Sequence, residues 1–120
     1  MGTTILIVDD HAGFRAQARA LLLAAGYDVV GEAQDRASAL AAVRALEPEV
    51  VLLDVQLPDS TGFEIARSLR DEGAPCTIVL TSSREAYDYG DRISRSGARG
   101  FISKGDLSAP ALADILEAPA

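Results

Sequence analysis

The stretch EVVLLDVQLPDSTG, Glu49 to Gly62, decides how the chain is read. Val50 to Leu53 is an unbroken apolar run, the mark of a strand buried on both faces, as in parallel sheets covered by helices. The run ends on a carboxylate, Asp54, and Pro58 and Gly62 then punctuate a turn. A strand suited to a dry core thus delivers a charged group at its carboxyl end. Open α/β sheets gather their ligands beyond that end of their strands.

The same alternation extends in both directions. Thr4–Val8 (TILIV) is a β-branched apolar strand. The spacing after it predicts a helix whose buried stripe is Phe14, Ala18, Leu21 and Ala25, closed by Gly26. Asp28–Ala33 (DVVGEA) reads as a weaker strand. A helix follows, capped by Asp35, with Leu40, Val43 and Leu46 inward and Pro48 as its stop. After Asp54, Thr61 and Glu64 stand in capping-box spacing at the start of a helix that ends at Gly73. Cys76–Thr81 is a fourth strand and Ala98–Ser103 a fifth. Between them REAYDYGDRISRSG is a poor helix, with Gly90 near its middle and few large apolar residues. The last helix begins near Ser108, tolerates Pro110 in its first turn and buries Leu112, Ile115 and Leu116. Five strand–helix units in strict alternation predict an α/β fold, (βα)5, doubly wound on a five-stranded parallel sheet.

The 120 residues suit one domain, and 48% apolar with 24% charged residues suits a soluble globular one. No apolar run approaches the roughly 20 residues that span a bilayer, so no membrane role is expected. The opening MGTTILIVDD has no basic segment ahead of its short apolar stretch, so no secretory signal is expected. MGTTIL fits the loose N-myristoylation pattern, but Ile5 to Val8 are needed as a core strand. The lone Cys76 can form no internal disulfide and reads as an inert packing residue; a reducing cytoplasm is the expected location. A net charge of −7 argues against direct nucleic-acid binding and suits cations or basic partner surfaces.

The residues leaving the strands carry the chemistry. Asp9 and Asp10 end the first, Asp54 the third, Thr81 with Ser82 and Ser83 the fourth, and Lys104 follows the fifth. Clustered carboxylates repel by about 4 kcal/mol at 4 Å near a protein surface. A hard divalent cation such as Mg2+ offsets this, and the lysine is a compact charge suited to phosphate. An ionised carboxylate beside both is a competent nucleophile toward phosphorus and needs no general base.

LIVDD (Leu6–Asp10), LLDVQLPDSTG (Leu53–Gly62), IVLTSS (Ile78–Ser83) and GFISK (Gly100–Lys104) stand in an order and spacing that resemble the receiver domain of bacterial two-component response regulators, over nearly the whole chain, 1–120. DDHAGFR, VVGEA and SKGDLS most resemble receivers of the LuxR/NarL type. The resemblance implies a flavodoxin-like fold with strand order 2-1-3-4-5. It implies Asp54 as phosphoacceptor from a sensor histidine kinase. Mg2+ would be held by Asp9, Asp10, Asp54 and the carbonyl of Gln56. Lys104 would bind a phosphoryl oxygen, Thr81 would swing its hydroxyl to another, and Phe101 would rotate inward. The change would pass through helix 4, strand 5 and helix 5, with dimerisation through helices 4 and 5 open, toward transcription control by a C-terminal DNA-binding domain. Gly105 stands where the family often has proline after the lysine, which leaves that loop's geometry open.

Two other readings are weighed. A phosphatase of the haloacid-dehalogenase type also uses a strand-end aspartate and Mg2+, but wants a second aspartate where Gln56 stands. A receiver-like module that only docks, without phosphorylation, is argued against by the intact acidic set and Lys104. Enzymatic turnover is not expected beyond self-catalysed phosphotransfer and autodephosphorylation. His11 reads as a capping or surface residue, Tyr87 and Tyr89 as surface residues of the fourth helix.

Overall fold

The computed structural model describes residues 2–118. Five parallel strands, β1 (Thr4–Val8), β2 (Asp28–Ala33), β3 (Val50–Asp54), β4 (Thr77–Ser82) and β5 (Gly100–Ser103), form one sheet in the order β2-β1-β3-β4-β5. The helices are α1 (Ala12–Ala24), α2 (Arg36–Leu46), α3 (Gly62–Asp71), α4 (Arg92–Arg95) and α5 (Ala109–Glu117).

Strand side chains alternate between faces, and two cores result. Leu6, Val8, Val51, Leu53, Ile78 and Leu80 meet α2 and α3 through Val43, Phe63, Ile65 and Leu69. Ile5, Ile7, Val50, Leu52 and Val79 meet α1 and α5 through Ala18, Leu22 and Leu112. All five residues of β3 are buried, as its unbroken apolar run requires. Asp35 caps α2 by accepting from the Ser38 amide at 2.8 Å, and Ser108 caps α5 by accepting from Ala111 at 3.1 Å. Thr61 accepts from the Glu64 amide at 3.2 Å, but the Glu64 carboxylate takes its hydrogen bond from Ser60. The capping box is therefore only half made there.

Several expectations need correction. α1 buries Leu22 instead of Leu21 and Ala25; Leu21 is half-buried and Ala25 exposed. Three successive leucines in an alanine-rich helix supply no periodic signal of their own, and contact with the sheet picks the middle one. Leu46 is 45% exposed, beyond the core stripe of α2, which runs through Ala39 and Val43. β4 begins at Thr77, so Cys76 is a half-buried residue just before it, and burial pushes its thiol pKa up. β5 begins at Gly100, two residues later than read.

The poor fourth helix is poorer than a kinked one. A 3-10 turn at Ala86–Asp88 and the single turn of α4 flank Gly90, whose φ is +58°. Tyr89, read as a surface residue, is 9% exposed; Tyr87 is 80% exposed. The Tyr89 ring sits edge-on to Phe63 at 5.4 Å and tilted to Phe101 at 5.9 Å, filling the room a regular helix would take.

Candidate functional site

Register places the acidic groups. Val8 lies opposite Leu53, so Asp9 and Asp54 come one step further along neighbouring strands. Asp54 in turn lies opposite Thr81, and Ser82 opposite Ser103, the residue before Lys104. The sheet order thus delivers residues from four chain segments to one edge. Asp9 is wholly buried and Asp54 2% exposed, whereas the Asp10 side chain is 34% exposed at the rim.

Lys104 bridges the buried pair. Its ammonium is 2.6 Å from Asp9 Oδ2 and 3.3 Å from Asp54 Oδ2, and it lies 4.7 Å above the Phe14 ring. Asp54 Oδ1 accepts from the Gln56 amide at 3.3 Å, and Gln56 itself is exposed on the loop after β3. Asp9 Oδ1 accepts from the His11 amide at 2.8 Å. The His11 ring nitrogen Nδ1 is 3.1 Å from Asp9 Oδ1 and 3.2 Å from Asp10 Oδ1. His11 is exposed, as expected, but its ring also touches both aspartates; the adjacent letters DDH are the signal for that contact. Asp9 Oδ2 and Thr81 Oγ1 are buried without a hydrogen-bond partner among the described residues, Asp9 Oδ2 resting against the ammonium instead.

Gly62 lets the turn after β3 close on the site. A Cβ there would lie 2.5 Å from the Asp54 carbonyl oxygen, and the Gly62 amide donates to Val55 at 2.8 Å. Phe101 is half-buried beside Tyr89 and does not reach the carboxylates' hydrogen-bond network.

Burial raises the pKa of Asp54 to about 6, and the Asp9 charge pushes the same way; Lys104 and the Gln56 amide offset part of it. Burial works against the charge on Lys104, yet the two carboxylates outweigh it and its pKa lies above the ordinary lysine value. The site holds negative charge under tension, with one ammonium as its internal counterion. Asp9, Asp10, His11 and Asp54 each offer a ligand atom within 4.8 Å of the others. The three carboxylates are hard oxygen donors, one of them at the rim where waters and a phosphate could complete the shell, so the residues present fit Mg2+.

A parallel sheet covered by helices on both faces, with buried carboxylates, a lysine and a threonine at its carboxyl edge, is the architecture of a signalling receiver. The chain belongs to the response regulator receiver domain family, whose model matches residues 5–117. It is 31% identical over 99 residues to the DNA-binding transcriptional activator EvgA of Escherichia coli (strain K12), covering 82% of this chain and 48% of EvgA. It is 31% identical over 104 residues to the transcription regulator BvgA of Bordetella pertussis, covering 87% of this chain and 50% of BvgA. Among solved structures, the signal receiver domain of NarL from Mycobacterium tuberculosis superposes with a TM-score of 0.84 at 30% identity over 98% of both chains. A LuxR-family two-component response regulator from Aurantimonas gives 0.79 at 29% identity, covering 92% of this chain and 79% of that one. The chain spans about half the length of the curated relatives it matches. The two solved relatives are a NarL receiver and a LuxR-family regulator, and this receiver's role is in two-component signalling. No helix among the described residues is long and apolar enough to cross a membrane.

Proposed function

We propose that residues 1–120 form a single cytoplasmic receiver domain that accepts a phosphoryl group on Asp54 from a sensor histidine kinase. The observation that carries this reading is the trio of Asp9, Asp54 and Lys104: two buried carboxylates with one ammonium bridging them at 2.6 and 3.3 Å. A structural ion pair needs one carboxylate. A second one, buried beside it, raises the cost of burial without adding packing.

Asp9, Asp10, Asp54 and the Gln56 carbonyl would hold Mg2+, which when bound supplies positive charge to phosphoryl oxygens. Asp54 attacks phosphorus as the carboxylate. An oxygen–phosphorus bond forms and the phosphorus–nitrogen bond of the donor phosphohistidine breaks, its electron pair staying on the imidazole. Lys104 is poised to move from Asp9 and Asp54 to a phosphoryl oxygen, a charge-assisted contact. The Thr81 hydroxyl, buried without a partner among the described residues, gains its hydrogen bond by turning to another oxygen. Phe101 then moves toward the room Thr81 leaves, and the shift reaches α4, β5 and α5. Autodephosphorylation by water returns the domain to its resting state. In a longer protein this face would control a following DNA-binding domain, with dimerisation as one means; the relatives' lengths support that reading.

The test is incubation with acetyl phosphate, with and without Mg2+, followed by intact-protein mass spectrometry. One phosphoryl adduct is expected, dependent on Mg2+ and absent from Asp54→Asn. An adduct that persists in Asp54→Asn would move the acceptor elsewhere.

A further inference from the structure

The two residues expected to grip a phosphoryl group each have a buried serine next to them in the chain. Ser82 follows Thr81 and Ser103 precedes Lys104; the two serines are register partners on β4 and β5 and are 0% and 8% exposed. Neither is needed for chemistry at Asp54. Both reach away from it to the connection between β4 and α4.

Ser82 Oγ accepts from the Arg84 amide at 3.1 Å and lies 2.6 Å from the Tyr89 hydroxyl. Ser103 Oγ is 2.8 Å from Glu85 Oε2 and 3.2 Å from the Arg84 carbonyl, so its one proton is shared between them. Both ends of residues 84–89, Arg84 with Glu85 and Tyr89, therefore hang on two hydroxyls. Inside the loop, the Glu85 amide donates to Asp88 at 2.9 Å, which makes the loop a unit that moves as one. Beyond it, Gly90 and the single turn of α4 supply little hold of their own. The Tyr89 ring, set between Phe63 and Phe101, ties that stretch to the core, together with Ile93 and the Arg92 guanidinium 4.5 Å from the centre of the Phe63 ring.

The route from the site is short. The Thr81 carbonyl accepts from the Val55 amide at 2.8 Å, and Val55 is the residue after Asp54. Ser82 is the next residue in the chain with its side chain on the opposite face of the sheet, so a shift of the β4 backbone that accompanies the Thr81 swing moves the Ser82 hydroxyl against Tyr89. A hydrogen bond of 2.6 Å weakens steeply beyond about 3.2 Å, so a displacement of well under ~1 Å is enough to break it.

We propose that Ser82 and Ser103 form a paired hydroxyl clasp on residues 84–89, and that phosphorylation of Asp54 opens it, releasing Tyr89 and freeing the segment through Arg95. The coupling rests on Asp54 as phosphoacceptor; the clasp itself is a property of the resting fold. Glu85 and Ser103 also line an open groove of about 400 Å3 against α5, together with Phe101 and Asp114. Opening the clasp thus reshapes a surface as well as a loop.

Hydrogen–deuterium exchange by mass spectrometry tests this on the wild-type chain and on Ser82→Ala, Ser103→Ala and Tyr89→Phe, each with and without acetyl phosphate and Mg2+. Tyr89→Phe keeps the ring packing and removes only the hydroxyl. In the resting state, each variant is expected to exchange residues 84–96 roughly three- to tenfold faster than wild type, with the strands unchanged. Phosphorylated wild type is expected to match the resting variants, and phosphorylation of the variants to add little. Resting exchange equal to wild type overturns the clasp, as does an increase spread equally over β1 and β3. An equal fold-increase on phosphorylation in wild type and variants overturns the coupling. If wild type takes up no phosphoryl group, the phosphoacceptor reading and the coupling fail together, and the resting comparison still decides the clasp.

Discussion

Asp54→Asn should make the resting domain more stable, although it removes the proposed phosphoacceptor. Asp54 is buried, and burial together with the Asp9 charge raises its pKa from the ordinary 3.8 to about 6. A group whose folded pKa lies above its unfolded value stabilises the fold in its protonated form. That contribution is complete below pH 3.8 and is lost as pH rises through about 6. At 1.36 kcal/mol per tenfold change in proton affinity, the ionised carboxylate at about pH 8 costs the fold about 3 kcal/mol relative to its neutral form. At about pH 5 the cost is about half that. Asparagine keeps the shape and carries no charge, so it should recover about 2–3 kcal/mol at pH ~8, or a Tm rise of about 10 °C for a domain of this size. Urea unfolding in EDTA at the two pH values measures it directly. Added Mg2+ should narrow the gap by stabilising the wild type more than the variant, which lacks one of the carboxylates. A variant no more stable than wild type at pH ~8, or equally more stable at both pH values, would refute the view of Asp54 as a carboxylate held against its preference.

Lys104→Met removes the internal counterion. In EDTA at pH ~8 it should lower stability by about 3 kcal/mol, since Asp9 and Asp54 are left buried and unpaired. It should also tighten Mg2+ binding in a calorimetric titration, because the ammonium occupies Asp9 Oδ2 and Asp54 Oδ2 at 2.6 and 3.3 Å. Gly62→Ala places a Cβ 2.5 Å from the Asp54 carbonyl oxygen; a loss of about 1–3 kcal/mol in urea unfolding and slower labelling by acetyl phosphate are expected. Leu22→Ala should cost about 2–5 kcal/mol by the same unfolding measurement and Leu21→Ala distinctly less, since only Leu22 is fully buried.

What could be read without coordinates lay where the chain is locally unambiguous. β1 and β3 are short apolar runs stopped by carboxylates, and their bounds follow from that pattern alone; that Asp9 and Asp54 meet depends on β1 lying beside β3. Asp35 and Ser108 act as the caps their positions predict. The misses share a different cause. Leu21, Leu22 and Leu23 are chemically alike, so which one is buried depends on how α1 is rotated on the sheet. Tyr89 sits in a polar stretch, and its burial depends on the gap left by a broken helix and on the Ser82 hydroxyl that receives it. The position of Lys104 between Asp9 and Asp54 is set by strand register, which no single segment encodes.

The central claim is that Asp54 is the one carboxylate that takes up phosphorus, and chemical trapping tests it most directly. The domain is phosphorylated with acetyl phosphate and Mg2+, the acyl phosphate is reduced with borohydride, and peptides are sequenced by mass spectrometry. The account predicts aspartate reduced to homoserine at position 54 alone. Reduction at Asp9 or Asp10, or an unreduced Asp54 in protein that carries the phosphoryl group, would contradict it.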